Sequence, residues 1–185
     1  MNNIPPKKNI RCAINKEAFL SQQKEYFSAL KSHPIPQITD KSSLDIIYSV
    51  KQAKTESQIA IYRNVSFFEA VNRIATDFVF WHGINDVLEK LSWNKIEYCL
   101  GNENSPGHGD FTIYQDGIEL EGEVFFAAPS YFSTKMRNTL KKWEENKKLR
   151  YVLFNSDAAL EKNIKKLKRN NPKISFISVE LSEKF

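Results

Sequence analysis

Cysteine is nearly missing from this chain: Cys12 and Cys99 stand alone, with no paired spacing. That argues against a disulfide framework or a thiolate zinc site and suits a reducing compartment. Apolar runs are short, and none is long enough to span a bilayer. Residues 1–11 are polar, basic and proline-containing, without the apolar stretch of a secretory leader. A cytoplasmic protein with no membrane partner is therefore expected. Repeats and low-complexity segments are lacking too. The sharpest absence is local: residues 101–130 contain no lysine or arginine.

What is present fits one folded domain. The chain has 185 residues, 41% of them hydrophobic, which is enough to bury a core without staples. Its net charge of +5 is unevenly spread. Residues 101–130 carry six acids and no base, whereas residues 131–185 carry 14 bases and six acids. An acidic island flanked by basic chain suits a metal-dependent site that handles a polyanion. For any single lysine, the simpler role is to solvate a helix face.

Apolar periodicity predicts a helix over 15–32, ended by Pro34 and Pro36. A second is expected from 42 or 43 to about 54, followed by an ambiguous stretch at 58–62. The longest amphipathic pattern starts at Ser66 and sets Phe67, Phe68, Val71, Ile74, Ala75, Phe78, Trp81 and His82 on one stripe. Gly83 is expected to break or kink it, with helix resuming over 85–91. A strand at 95–100 comes next. Beyond Pro129, a helix capped by Ser130 or Ser133 should reach 146, and a strand should cover 151–154. Ser156-Asp157 should cap a further helix with Leu160, Ile164 and Leu167 inward and Lys162, Lys165, Lys166, Lys168 and Arg169 outward. Asn170-Asn171-Pro172 ends that helix, and 174–179 forms a last strand.

Between these elements lies the most informative stretch. Residues 107–114 and 118–126 read as two strands joined at Gln115-Asp116-Gly117, Asp-Gly being the strongest short hairpin signal. The second strand alternates, with Ile118, Leu120, Gly122 and Val124 on one face and Glu119, Glu121 and Glu123 on the other. With Asp110 across the hairpin, four carboxylates share a face and repel one another unless something positive lies there. Gly122, on the core side, would let the adjacent helix approach closely. Magnesium takes hard oxygen ligands, usually one or two carboxylates plus water and phosphate oxygens. Asp110 with Glu121 or Glu123 supplies an acid from each strand, although Glu119 with Glu121 is an alternative pair.

An Asp opening one strand, a turn, then an acid-x-acid pair resembles the PD-(D/E)XK nuclease superfamily, of restriction-endonuclease-like fold. The family core runs helix, three-stranded meander, helix, strand, which matches the order read over 66–154. The resemblance implies that Asp110 and Glu121 hold the metal and that Glu123 is the third catalytic residue. Where the family has proline before its Asp, this chain has Gly109. Where it usually has lysine third, this chain has Glu123, which is similar to the BamHI variant. Lys135, on the helix after the hairpin, is the candidate for the missing positive charge. The resemblance also makes Glu69 an additional metal ligand, although Ser66-Phe67-Phe68-Glu69 is a capping box as well. Arg137, Lys141 and Lys142 are candidate phosphate contacts. His108, in a glycine-flanked loop, is a candidate base or DNA contact. His82 reads as a core residue.

The expected fold is α/β (an α+β mixed sheet), a restriction-endonuclease-like α-β-β-β-α-β-α-β core with extra N-terminal helices. It forms a single domain over 1–185, with a helical extension at 1–62 and the nuclease-like core at 66–185. The expected function is a Mg2+-dependent endodeoxyribonuclease, with Mn2+ as substitute, acting on double-stranded DNA as a homodimer of the type II restriction kind. The alternatives are a repair or recombination nuclease of the same fold, and a DNA-binding module whose catalytic site has decayed.

Overall fold

In the computed structural model, residues 10–32, 42–51, 62, 65–101, 108–145 and 147–181 are described. The expected end of the second helix near 54 and the ambiguous stretch at 58–61 lie outside them.

The hairpin forms where its turn chemistry places it. Asp116 (φ 49°) and Gly117 (φ 80°) both take positive φ, the backbone of a two-residue turn whose twist matches the flanking strands. It joins β3 (Phe111–Gln115) to β4 (Ile118–Phe125). Around this pair stands a six-stranded sheet in chain order, completed by β1 (Arg11–Ala13), β2 (Lys95–Tyr98), β5 (Leu149–Asn155) and β6 (Ser175–Val179). Strands β1 to β4 run antiparallel, whereas β4, β5 and β6 run parallel. β4 is therefore where the sheet changes sense. The parallel steps require crossovers, supplied by α4 (Pro129–Lys142) and α5 (Glu161–Asn170).

The remaining helices are α1 (Lys16–Lys31), α2 (Ser43–Lys51) and α3 (Phe67–Leu88). On one face of the sheet, α1 and α3 bury Phe19, Val79, Trp81 and Ile84 against Tyr98, Phe111, Val124 and Leu153. On the other, Phe132 and Met136 of α4 pack on Phe125, Val152, Phe154 and Phe176. The protein is thus a mixed α/β fold, with five α-helices among the described residues.

Several local expectations change. α3 runs unbroken through Gly83. A Cβ there would lie 2.6 Å from Val179 Cγ2 and 2.9 Å from Leu153 Cδ2. Glycine stands at that position because the helix presses on β5 and β6, and the gain in packing offsets a helix cost of about 1 kcal/mol. Phe68 and Val71 are exposed, so the first turn of the predicted stripe does not face the core. α4 begins on Pro129 at its first position without a side-chain cap, rather than at Ser130 or Ser133. Ser156 and Asp157 belong to a short 3₁₀ turn, and α5 begins after Leu160, which is exposed rather than inward. β1, within a stretch expected to lie between the basic arm and the first helix, is a strand because β2 offers it an edge.

Asp77 carries no sequence signal, yet it is a structural hub. Its carboxylate is 2% exposed and accepts from Tyr26 Oη (2.8 Å), Tyr62 Oη and the Gly101 N–H (3.0 Å). It thereby ties α1, residue 62 and the turn after β2 to α3. Burial raises its pKa from the ordinary 3.8 to about 6, against the lowering effect of these donors. Between those values the folded chain holds a proton that the unfolded chain has released. This group's stabilisation is therefore full below about pH 4 and is lost as pH rises through about 6. The shift corresponds to roughly 3 kcal/mol. Urea unfolding from pH 4 to 7.5 should show wild type losing stability relative to Asp77→Asn across that window; parallel curves would refute it.

Candidate functional site

The register of the hairpin assembles the acids. Phe111 pairs with Gly122 and Thr112 with Glu121, so one step further Asp110 comes opposite Glu123. Alternation then puts Asp110, Thr112, Glu121 and Glu123 on the α4 side of the sheet. All three acids are buried: Asp110 is 7% exposed, Glu121 4% and Glu123 7%. A carboxylate buried this far needs donors or counter-charge.

Each acid receives them differently. Asp110 Oδ2 accepts the Val124 N–H at 2.6 Å. Glu121 Oε2 accepts the Gly109 N–H and the Thr112 hydroxyl, both at 3.0 Å. Glu123 Oε1 accepts Lys142 Nζ at 2.6 Å and the Trp143 indole N–H at 2.8 Å. Desolvation, and then the neighbouring Asp110 charge, push Glu123 up to about 7 against the pull of Lys142 and the indole. Glu119, two residues before Glu121 on the same face, is exposed and paired with Lys148 at 2.7 Å.

Gly109 gains a physical reason. Its N–H is a donor to Glu121, and proline at that position has none to offer. A Cβ there would also fall 2.3 Å from the Gly122 carbonyl oxygen. The departure from the proline of the resembled motif is thus coupled to how this chain holds its acid.

No protein family, curated protein or solved structure matches the chain. The reading of the site rests on its own chemistry.

The positive charge beside the third acid comes from Lys142, at the end of α4, and not from Lys135. Lys135 is half-buried earlier on that helix and makes no ion pair among the described residues. Lys142, expected to contact phosphate, is instead committed to Glu123. Lys142-Trp143, a cation and an indole donor closing a crossover helix, is the one sequence signal that could have pointed there. Glu69 is not brought to the hairpin. It sits on α3, the helix across the sheet, beside the Ser66 cap and paired with Arg73 at 2.6 Å. His108 is half-buried two residues before Asp110, and Arg137 and Lys141 are exposed on α4.

Among the described residues, no three His, Cys, Asp or Glu side chains are drawn together as a metal-ligating group. Magnesium requires only one or two protein carboxylates. Glu121 makes no ion pair and its Oε1 accepts no hydrogen bond among the described residues, the Lys148 ammonium that pairs with Glu119 being the cation in electrostatic reach. A hard-oxygen donor set with an unspent oxygen fits such an ion in chemistry.

Proposed function

We propose that this chain is a magnesium-dependent endodeoxyribonuclease of the PD-(D/E)XK kind, most simply a small type II restriction endonuclease acting as a homodimer. One observation carries the reading: three buried carboxylates share one face of a hairpin, with a lysine ammonium against the third. The helix–meander–helix–strand order of α3, β2 to β4, α4 and β5 supports the restriction-endonuclease-like topology.

In this reading Asp110 and Glu121 would hold the ion, which would polarise the phosphate and lower the pKa of water, with Mn2+ able to serve in place of Mg2+. Glu123, across the hairpin from Asp110, would accept the proton of the attacking water. The water oxygen bonds to phosphorus as the bond to the leaving sugar oxygen breaks, and solvent protonates that oxygen. Lys142 keeps Glu123 in place and adds positive charge where the phosphate becomes more negative.

A second reading has its own support. With no three-acid metal group among the described residues and Glu123 already paired with Lys142, the fold would also suit a DNA-binding module without cleavage. Incubation of plasmid and phage DNA with the protein in Mg2+, Mn2+ or EDTA separates the two. Discrete fragments with either metal and none in EDTA are expected. DNA binding with no cleavage in any metal would leave the module.

A further inference from the structure

Beside the acids lies a basic cleft that the proposed chemistry leaves unused. It has a volume of about 700 Å³ and lies between the last turns of α4, the start of β5 and the α5–β6 turn. Arg137, Lys141, Lys147, Arg150 and Lys173 line it, against one acid, Glu144. Arg137, Lys141, Lys147 and Lys173 make no ion pair among the described residues. Such a concentration of unpaired charge is unfavourable without an anion to meet it.

The cleft is shaped as well as charged. Arg150 Nη1 donates to the carbonyls of Lys147 (2.7 Å) and Leu149 (3.0 Å). These bonds fix the guanidinium and leave Nε and Nη2 for an outside acceptor, the planar geometry that suits phosphate. The floor includes Leu149 and Trp143, which stays 4% exposed. Both residues also touch the acid site: the Trp143 indole donates to Glu123, and Leu149 is the strand partner of Glu121. A chain of phosphates seated in the cleft is thus directed past the indole toward the carboxylates.

We infer that this cleft is the seat of the sugar-phosphate backbone of DNA on one side of the hairpin acids. The inference rests on the nuclease reading for its ligand, and it deepens that reading by saying where the strand runs. A wall of several separate cations suits repeated phosphates better than a single small anion.

The test is salt-dependent binding of a fluorescent DNA duplex in EDTA, so that cleavage plays no part. Lys141→Gln/Lys147→Gln/Lys173→Gln is compared with Lys162→Gln/Lys165→Gln/Lys168→Gln, an equal loss of charge on the exposed face of α5. Each phosphate that is no longer neutralised reduces the slope of log affinity against log salt by about 0.9. The cleft variant should lose about 2 or more units of slope and at least about tenfold in affinity at moderate salt, while the α5 variant changes little. Equal effects of the two variants, or no effect of the first, would overturn the inference. So would displacement of the duplex by millimolar pyrophosphate at matched ionic strength, which indicates a small-anion site. If the wild type cuts DNA but the slopes do not differ, the nuclease reading survives alone; if slopes differ without cleavage, the cleft survives alone.

Discussion

If the proposed nuclease reading holds, Asp110→Ala and Glu121→Ala are each expected to reduce metal-dependent DNA cleavage by at least about a thousandfold, because each would remove a ligand from an ion that would supply several kcal/mol to the transition state. The two differ in their structural side effects. Asp110 also accepts the Val124 N–H, and Glu121 the Gly109 N–H, so alanine leaves a buried donor unmet, at a cost of about 1–3 kcal/mol. Asp110→Asn and Glu121→Gln keep an acceptor oxygen at nearly unchanged volume and separate lost chemistry from lost packing. Activity should vanish in these variants with melting temperatures near that of wild type. Lys142→Ala should slow cleavage about a hundredfold by removing a preorganised charge, whereas Lys135→Ala, which removes no ion pair to the three acids, should change it by no more than about twofold. Equal losses at 135 and 142 would contradict the assignment of the cation to Lys142.

The second large effect concerns stability. Gly122→Ala should destabilise the protein by about 3 kcal/mol, at the upper end of overpacking costs. The added Cβ would sit 2.0 Å from Cζ of Phe111 and within 2.4 Å of two further ring carbons. It is this cross-strand ring, not a helix, that occupies the space glycine leaves open. The ring cannot easily retreat: Phe111 is fully buried, stacked on Tyr151 at 6.3 Å and beside Phe80 at 5.9 Å. Thermal melting should show a drop of roughly 6–12 °C for a chain of this size. Because the fault is a single collision, Phe111→Leu should cost less in the Gly122→Ala background than in wild type. Additive losses would place the strain elsewhere.

The hairpin was legible because its signals are local. Asp116-Gly117 demands a particular turn, and the glutamates alternate at strand spacing. The helix starts at Asn15 and Ser66 were legible for the same reason, each having a side chain that accepts from a nearby backbone N–H. What failed to show depends on distant chain. β1 is three residues long and becomes a strand only by pairing with β2. Gly83 looks like a helix breaker until Val179 and Leu153 are brought against it. Asp77 looks like an ordinary solvated acid until two tyrosines from other segments close over it. Within the site, spacing places four acids on one face, but only burial separates Asp110, Glu121 and Glu123 from the exposed Glu119, and spacing misses the lysine. Apart from the indole donor that follows Lys142, little in the chain separates it from Lys135 until α4 is laid along the sheet and its last turn comes down beside Glu123.

Among the described residues, the side-chain hydrogen bonds named above for the three acids come from one uninterrupted stretch, 109–143, the hairpin and the helix that follows it. The edge of the sheet, by contrast, depends on Ala13 finding Ile96. Closing a shorter segment costs somewhat less chain entropy, about 0.6 kcal/mol for each halving of length, and folds rich in local contacts form faster. The geometry of the candidate site therefore depends on more local chain than the sheet edge does. Truncation of the N-terminal strand is thus expected to cost sheet stability before it disturbs the hydrogen bonds around the three acids.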